Sequence, residues 1–428
     1  MNAYRPFSRF AALFAAVLIL LAVSLNAQAA GGTILYLPTV QKQAATELAL
    51  PPADAASARL SVPPGFAIRY FATQVGAKPR LMTIGPDGAL YVALFNGQAV
   101  VRLPDDNHDG LADAKQTILT GLNGPHNVEW FDGWMYVAEA DKISRHKDLN
   151  ADGFYETHET ILPLPTGGHN TRTLHFGPDG KMYVSVGSTC NDCVETDLRR
   201  AAILRYNPDG SIPNDNPFKN DADPNKRPLW AWGLRNSVDF LWTPEGALWA
   251  DQNGPDGMGD NLPPEEIIIP VQGNKWHGWP YCYTATLGAN TAPEVLVPGK
   301  TLPGGLSCND AAAARFTDLA HSAPLGMQLG APAQFPAGYQ DDLFVAFHGS
   351  WNTTLANARD CKIQRIRIEG GQPVASESFV NGWRAPGETC SGPNAFGRPA
   401  DVAVNSAGEM FISDDVSNAI YRVIYVGP

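Results

Sequence analysis

The stretch Gly177-Pro178-Asp179-Gly180-Lys181-Met182-Tyr183-Val184-Ser185 decides the fold. A Pro-Asp-Gly turn leads into a strand in which apolar, aromatic and small residues alternate, and a short β-rich run at residues 173–176 precedes the turn. A strand, an Asp-Gly turn and a second strand in this order predict a β-hairpin.

The same hairpin pattern recurs along the chain. Its second strands are Leu90–Ala93, Met135–Ala138, Leu248–Ala250, Leu343–Ala346 and Met410–Ser413. Further β-rich runs, such as residues 99–103, follow several hairpins. Six hairpins in series favour radial repetition, so we expect an all-β, six-bladed β-propeller of four-stranded antiparallel blades. A β-sandwich that contains several Asp-Gly hairpins is the alternative.

Composition agrees with many short strands joined by turns. The 428 residues include 41 glycines and 35 prolines, and only 17% of the chain is charged. The formal net charge of −12 argues against nucleic acid and anionic membrane surfaces as partners.

The N-terminus has the pattern of an export signal. Arg5 and Arg9 precede an apolar run at residues 11–25, and Ala27-Gln28-Ala29 forms a small-x-small cleavage pattern. A transmembrane anchor is the alternative, but the run is shorter than the roughly 20 residues that a spanning helix needs. We therefore expect a soluble periplasmic or extracellular protein that does not insert into a membrane after the signal is removed. The expected parts are a signal peptide (1–30), a linker or lead-in segment (31–60) and a propeller catalytic domain (61–428).

Six cysteines in an exported chain predict up to three disulfides. Cys190 and Cys193 form a C-x-x-C, for which a local disulfide is favoured over a redox or zinc site outside the cytosol. Proximity in sequence suggests the pairs Cys282–Cys308 and Cys361–Cys390.

The propeller prediction places a set of basic residues together. The innermost strand of each blade lines the central channel, so the residues at its start lie at one mouth. These positions hold Arg80, His126, His169, Arg172, Arg235, Asn236, His321 and Arg398. Cations gathered in an acidic chain need an anionic partner, and guanidinium groups suit carboxylates. The pattern predicts a polyanionic small ligand in the mouth.

Several motifs resemble those of soluble sugar dehydrogenases that depend on pyrroloquinoline quinone (PQQ). They are Gly168–Gly180, Arg205–Phe218, Gly233-Leu234-Arg235-Asn236, and Asn253-Gly254-Pro255 followed by Gly278-Trp279-Pro280. Residues 257–266, 278–283 and 348–352 are similar to L-sorbosone dehydrogenases and fungal pyranose dehydrogenases. The resemblance covers roughly residues 60–428.

This resemblance implies PQQ- and calcium-dependent oxidation of an aldose or keto-aldose. His169 would be the general base that takes the proton of the anomeric hydroxyl while hydride moves to the quinone. Arg235 and Asn236 would lie against the reacting oxygens of the quinone, where Arg235 stabilises the developing negative charge. The backbone carbonyls of Gly254 and Pro255 would hold the calcium ion.

The remaining cofactor contacts are assigned to Arg398, Arg172 and His348. Arg398 matches an arginine that grips cofactor carboxylates, and His348 stands where the glucose-oxidising members have a lysine. Ala400 replaces a second arginine of those members, and Leu122 replaces a glutamine that contacts sugar. These departures point away from glucose and leave the identity of the sugar open.

A second calcium site is expected in a loop. Residues 148–159 fit the D-x-N-x-D-G-x5-E calcium loop, with Asp148, Asn150, Asp152 and Glu159 as ligands. Residues 105–113 begin in the same way. An Asx-rich hairpin turn without metal is the alternative for both loops.

Two other functions remain open. One is a calcium-dependent lactonase or esterase of the paraoxonase type, and the other is a non-catalytic binding propeller. The arginines and histidines at the mouth favour the anionic cofactor over both. No C-x-x-C-H haem motif occurs, so electrons would pass to a separate acceptor, a cytochrome or a quinone.

Overall fold

The computed structural model describes residues 48–150 and 152–427. The expected signal peptide and most of the lead-in segment lie outside the described residues. From residue 48 onward, the lead-in contains a short helix, α1 (Ala55–Arg59), where a linker or strand was expected. Asp54 caps this helix and also accepts the backbone N–H of Tyr70 at 2.8 Å, so the segment is fastened to the first strand. No described helix is long and apolar enough to cross a membrane.

Strands dominate the fold. The first of them, β1 (Phe66–Ala72), pairs with the end of the chain. Blade 1 consists of β2 (Pro79–Ile84), β3 (Leu90–Leu94), β4 (Ala99–Leu103) and β5 (Gln116–Thr120). Blade 2 consists of β6 (Asn127–Phe131), β7 (Trp134–Ala138), β8 (Lys142–Lys147) and β9 (Thr157–Pro163). Blade 3 consists of β10 (Arg172–Phe176), β11 (Met182–Val186), β12 (Ala202–Tyr206) and β13 (Leu229–Trp232).

The second half of the chain forms three more blades and a few short additions. Blade 4 consists of β14 (Phe240–Trp242), β15 (Leu248–Gln252), β16 (Glu265–Val271) and β21 (Phe316–Asp318). The additions are β17 (Lys275–Trp276), β18 (Cys282–Tyr283), β19 (Gly288–Ala289), β20 (Val295–Leu296) and 3₁₀ turns at Cys308–Asp310, Ala337–Tyr339 and Leu355–Asn357. Blade 5 consists of β22 (Pro324–Leu329), β23 (Leu343–Phe347), β24 (Lys362–Glu369) and β25 (Gln372–Val380). Blade 6 consists of β26 (Pro399–Val404), β27 (Met410–Asp414), β28 (Ala419–Tyr425) and β1.

The blades close into a ring. Blade 6 takes its outer strand from the start of the domain, because β1 pairs antiparallel with β28. The inner strands contact one another in the cyclic order β2, β6, β10, β14, β22 and β26, and β26 returns to β2. The predicted six-bladed β-propeller is confirmed, and each predicted hairpin forms the two inner strands of one blade.

The hydrophobic core is divided among the six interfaces between neighbouring blades. Side chains of a strand alternate between its two faces, so a middle strand supplies two interfaces. In β3, Val92 packs toward blade 6, whereas Tyr91 packs toward blade 2. This explains why the repeated strand motif is apolar at consecutive positions.

The Pro-Asp-Gly turns are held by a recurring polar contact. Gly88 has a φ of +82°, a conformation that favours glycine. The carboxylate of Asp179 accepts a hydrogen bond from the Tyr183 hydroxyl at 3.0 Å and pairs with Arg205 at 2.8 Å. Asp87 makes the equivalent contacts with Tyr91 and Arg102 in blade 1.

All six cysteines are paired. The disulfides are Cys190–Cys193, Cys282–Cys308 and Cys361–Cys390, which confirms the pairs suggested by proximity.

At the inner edge of each blade, backbone N–H groups face the channel, where no further strand provides carbonyl oxygens to accept their hydrogen bonds. Side chains of neighbouring inner strands accept several of them. The donor and acceptor pairs are Met82 with Asp401 (2.7 Å), Leu174 with Asn127 (3.0 Å), Phe176 with Glu129 (3.1 Å) and Met327 with Asp239 (2.8 Å). These bonds join adjacent blades around the channel.

The carboxyl ends of the inner strands surround a cavity of about 450 Å³. His175 lies in its wall and contacts Glu129 through Nδ1 (2.5 Å) and Asp239 through Nε2 (2.9 Å). Burial alone would lower the pKa of His175, but attraction to both carboxylates and the hydrogen bonds that the ring donates to them raise it to about 10. His175 is therefore an imidazolium at neutral pH and joins blades 2, 3 and 4.

We predict that His175→Gln destabilises the protein in a pH-dependent way. Because the folded pKa of about 10 exceeds the unfolded value, the ion pairs stabilise the fold fully below about pH 6.5 and lose their effect as the pH rises through 10. The variant should lose roughly 2 kcal/mol near neutral pH, a discounted value for a partly exposed network. Thermal unfolding at pH 6.5 and pH 10.5 measures this, and an equal Tm deficit at both pH values would contradict the prediction.

Candidate active site

The residues predicted for the channel mouth lie at the amino ends of the inner strands. Arg80 is the second residue of β2, His126 directly precedes β6, and Arg398 directly precedes β26. His169, Arg235, Asn236 and His321 lie in the segments that lead into β10, β14 and β22. The ring of inner strands therefore brings residues from all six blades to one mouth.

His169 is held in one orientation by its neighbours. Its Nδ1 lies 3.0 Å from the hydroxyl and 3.1 Å from the carbonyl oxygen of Ser188. A Cβ atom on Gly187 would stand 2.6 Å from the Cβ of His169 and 2.5 Å from Oδ1 of Asn236, so only glycine fits beneath the two side chains. Burial and then Arg235 lower the pKa of His169 to about 4. The imidazole is neutral near pH 7, with Nε2 not used in this anchoring.

Arg235 is a buried cation fixed by the loop of the first disulfide. Its guanidinium donates to the carbonyl oxygen (2.9 Å) and side chain (2.8 Å) of Asn191 and to the carbonyl oxygen of Asn253 (3.0 Å). Asp256 lies 3.6 Å from Arg235 and 3.6 Å from His321, and Asn352 donates to it at 2.5 Å. The hydrogen bond from His321 is the largest of the effects that lower the pKa of Asp256, so this carboxylate is charged.

A second charged group lies on the other side of the mouth. Asp415 pairs with Arg80 at 2.8 Å and with Nε2 of His348 at 2.7 Å. Burial would raise the pKa of Asp415, but His348 and Arg80 hold it below its usual range. Burial lowers the pKa of His348 to about 4, so at neutral pH the ring is neutral and donates a hydrogen bond to Asp415. The guanidinium of Arg398 donates to the backbone carbonyls of His348 (2.7 Å) and Gly349 (2.9 Å).

Cations outnumber carboxylates at the mouth. Four permanently basic side chains lie there, together with the two charged carboxylates of Asp256 and Asp415. The four are Arg80, Arg235, Arg398 and Lys78, of which Lys78 is close enough to Arg80 and Arg398 for their charges to lower its pKa. Asp256 and Asp415 thus neutralise part of the positive charge at the mouth. An anionic ligand is needed only for the positive charge that these two carboxylates leave uncompensated.

Two polar groups beneath the mouth have no hydrogen-bond partner among the described residues. They are Nε of Arg80 and Nε2 of His126, both buried. Nε of Arg80 is a donor that fits an oxygen of a ligand, whereas Nε2 of the neutral His126 is an acceptor, since Nδ1 donates to Thr173, and it fits an ordered water or a ligand hydroxyl. Ala400 is fully buried and packs against Val238 and Leu325, so it takes part in an apolar cluster and not in the polar mouth.

Arg172 does not have the predicted role. Its guanidinium donates to the backbone carbonyls of His169 (2.6 Å), Thr171 (2.7 Å) and Pro165 (2.7 Å), and the side chain is completely buried. The terminal nitrogens are used in shaping the loop that carries His169. The geometry therefore gives Arg172 a positioning role in place of the predicted cofactor contact.

The segment predicted to hold calcium at the mouth has backbone carbonyl oxygens that are available to a ligand. The carbonyl oxygens of Gly254 and Pro255 accept no hydrogen bond from a described residue. The backbone N–H of Gly254 donates to Oε2 of Glu265 at 2.7 Å, which fixes the segment. Burial raises the pKa of Glu265 to about 7. Two free carbonyls on an anchored loop fit a hard cation such as Ca²⁺.

A profile of TrAA12-like proteins matches residues 60–425. The chain belongs to the TrAA12-like family.

Solved structures agree with this assignment at the level of the fold. The TrAA12-like chain is similar to a Trichoderma reesei enzyme of carbohydrate-active family AA12, with a TM-score of 0.70, 21% identity, and coverage of 88% of this chain and 100% of that one. It is also similar to the holo PQQ domain of a pyranose dehydrogenase from Coprinopsis cinerea, with a TM-score of 0.68, 20% identity, and coverage of 86% and 97%.

Sequence relatives cover different shares of the TrAA12-like chain. An uncharacterised protein of Borreliella burgdorferi is 27% identical over 395 residues, which is 87% of this chain and 93% of that protein. The aldose sugar dehydrogenase YliI of Escherichia coli is 34% identical over 158 residues, which is 36% of this chain and 38% of that protein.

In the loop at residues 148–159, the carboxylates that lie together differ from the expected calcium ligands at the last position. Asp148, Asp152 and Glu156 of the TrAA12-like chain bring carboxylate oxygens within 4.8 Å of one another, and the side-chain amide of Asn150 donates to Asp152 at 3.1 Å. Glu159 is not part of this group, because it lies in β9 opposite Arg145 and pairs with it at 2.7 Å. Glu159 thus lies apart from the other three carboxylates because a strand follows the loop, and Glu156 takes the place in the group that was expected for Glu159.

Several site residues of the TrAA12-like chain were missed by sequence reasoning. Lys78 directly precedes β2 but was overlooked, whereas Asp256, Glu265 and Asp415 lie outside the positions that directly precede an inner strand. Asp415 follows β27, and its partner Arg80 is more than three hundred positions earlier in the chain. Of these four residues, only Lys78 could have been noticed from the sequence, because it lies close to Arg80 in the chain.

We predict that two histidines of the mouth titrate on opposite sides of the usual value. Burial and Arg235 keep His169 neutral down to about pH 4, whereas the interaction of its ring N–H with the Asp256 carboxylate raises the pKa of His321 from its usual value. NMR titration of ¹³C-labelled histidines in the unliganded protein measures both, with His169→Asn and His321→Asn to assign the signals. A His169 midpoint at or above that of His321 would show that the site is arranged differently.

Proposed function

We propose that the chain catalyses the PQQ- and calcium-dependent oxidation of an aldose or keto-aldose, of the sorbosone or pyranose type. The observation that carries the proposal is the excess of buried cations beside a neutral, anchored His169 in a TrAA12-like propeller. The names of two similar proteins, a PQQ-binding pyranose dehydrogenase domain and an aldose sugar dehydrogenase, support the same chemistry.

The residues at the mouth fit the cofactor. PQQ is a quinone with several carboxylates, and when bound it would supply the two-electron oxidant that takes hydride from the sugar. Arg398 and Arg80 would bind its carboxylates, because a guanidinium matches a carboxylate in shape and charge. His348, whose Nε2 bonds to Asp415, would add a contact through the other ring nitrogen. The free carbonyls of Gly254 and Pro255 would hold Ca²⁺.

His169 would act as the general base. Its Nδ1 is anchored on Ser188, so Nε2 can accept the proton of the sugar hydroxyl at C1. The side chain is neutral near pH 7 and therefore ready to accept that proton. Gly187 allows His169 to occupy this position, since a side chain at residue 187 would collide with the Cβ atom of His169.

Arg235 and Asn236 would stabilise the negative charge that develops during the reaction. The guanidinium of Arg235 is fixed by Asn191 and Asn253 and needs no reorganisation. A preoriented cation in a buried site is worth more than one that must first move or shed water. Asn236 is held by Thr171, which donates to its Oδ1 at 3.1 Å.

We further propose that residues 1–30 direct export and that residues 61–428 act in the periplasm or the extracellular medium. The three disulfides favour an oxidising compartment. Electrons would leave to a separate acceptor, a cytochrome or a quinone.

Purified apoprotein reconstituted with PQQ and Ca²⁺ should reduce a dye in the presence of aldoses or keto-aldoses. His169→Ala should bind the cofactor normally and lose on the order of 10²-fold or more in turnover, because proton removal is then uncatalysed. The matched control is His108→Asn, which replaces an exposed histidine and should keep full activity. Full turnover by His169→Ala, or lactone hydrolysis that needs no PQQ, would refute this assignment.

Arg398→Gln should weaken retention of PQQ by on the order of 10-fold or more, because it removes a charge-assisted contact to a carboxylate. Equilibrium dialysis of PQQ with calcium present measures the dissociation constant. The control Arg367→Gln removes an exposed arginine of β24 and should have no effect. An unchanged PQQ affinity of Arg398→Gln would remove this residue from the cofactor site.

A further inference from the structure

Two buried carboxyl groups lie beneath the Gly278-Trp279-Pro280 turn with no cation to compensate them. Glu294 is 4% exposed and Glu266 is 2% exposed. Each of them has a raised pKa, mainly through burial, and the charge of Glu266 raises that of Glu294 further. No basic side chain is among the groups that shift either pKa.

Glu294 is the more unusual of the two. Neither of its carboxyl oxygens has a hydrogen-bond partner among the described residues. An isolated buried carboxylate is very costly, and a buried carboxylic acid also needs partners for its oxygens. The two carboxyl groups do not hydrogen-bond each other, so a shared proton does not account for the arrangement.

Gly278 brings a carboxyl oxygen of Glu294 and a backbone carbonyl oxygen close to one another. A Cβ atom on Gly278 would stand 1.9 Å from Oε2 of Glu294 and 2.9 Å from the carbonyl oxygen of Cys282. Gly278, with a φ of +91°, thus lets this carboxylate and this carbonyl approach the turn together. A small cavity of about 10 Å³, close to the space that one water-sized occupant needs, borders Glu266 and Cys282.

Glu266 is oriented by two donors. The backbone N–H of Thr284 donates to its Oε1 at 2.8 Å, and the side-chain amide of Gln252 donates to its Oε2 at 2.6 Å. Each oxygen of an ionised carboxylate keeps a further acceptor position after one such bond. Glu266 can therefore also face an ion from its fixed position.

We propose that Glu294 and Glu266 bind a calcium ion beneath the Gly278-Trp279-Pro280 turn, with the Cys282 carbonyl as a further ligand. Two carboxylates neutralise a divalent cation, and oxygen-only donors in irregular geometry suit Ca²⁺ better than softer metals. The ion is proposed in addition to the calcium of the cofactor, for which the carbonyls of Gly254 and Pro255 are the ligands; these two residues border the same small cavity.

The ion would connect the turn to the proposed active site. Gln252, which donates to Glu266, accepts the backbone N–H of Arg235 with its Oε1 at 2.7 Å. The calcium would thereby fasten the turn and support the strand end that carries Arg235. This is a structural role and does not depend on the proposed sugar oxidation.

The test uses the full-length protein without PQQ, stripped with EGTA and then given calcium chloride. Wild type should gain Tm on addition of Ca²⁺, because an ion that binds only the folded state stabilises it. Glu294→Gln should lose the part of this Tm gain that comes from the proposed ion. In EGTA, the Tm of Glu294→Gln should equal or exceed that of wild type, because a buried carboxyl group without a partner among the described residues has been removed. The control Glu245→Gln changes an exposed glutamate of a blade 4 turn and should behave as wild type.

Counting bound calcium by atomic emission after gel filtration gives a second measurement. Wild type should retain one Ca²⁺ per chain more than Glu294→Gln. Glu266→Gln should lose the same ion, and the double variant should lose no more than either single variant. If Glu294→Gln does not fold, the calcium content of Glu266→Gln compared with wild type still tests the proposal. Equal calcium content in wild type and Glu266→Gln, or a Glu294→Gln that is more stable than wild type with and without Ca²⁺, would overturn the proposal.

Discussion

The inner edges of the blades impose the constraint on which the rest of the structure depends. Each inner strand has backbone N–H groups that face the channel, where no further strand can accept them. Side chains of neighbouring inner strands accept them instead, as Asp401 does for Met82 and Asp239 does for Met327. These bonds set the height of each blade against the next. Because the inner strands also follow one another in a closed ring, their amino ends lie on one side of it, and this places the basic residues of six blades at one mouth.

The mouth is a partly compensated cluster of cations. Asp415 and Asp256 each pair with an arginine and a histidine, so two pairs of the cluster are stable without any ligand. The charge left over comes from basic groups at the rim, chiefly Lys78 and Arg398. An anionic cofactor would thus meet rigid, preoriented donors, and its binding would need little rearrangement of the protein. His169, fixed by Ser188 and Gly187, has the same rigidity.

Sequence reasoning predicted the hairpins and the blade number. It succeeded there because a turn and its two strands are local, and because Asp-Gly turns and alternating strands have recognisable patterns. Sequence reasoning could not foresee the neighbours of Arg172 and Glu159, because these come from the tertiary structure. The terminal nitrogens of Arg172 donate to three backbone carbonyls, and the register of β8 and β9 places Glu159 opposite Arg145.

The sequence alone was therefore enough for the architecture and the family, since both are recorded in short-range patterns and motifs along the chain. What only the tertiary structure decided is which polar atoms remain free to act. Arg80 is compensated by Asp415 from the far end of the chain, and Glu294, near Glu266, has no hydrogen-bond partner among the residues that the structure describes. Whether a charged side chain is neutralised or available depends on burial and on contacts between distant segments, and these exist only after the ring has closed.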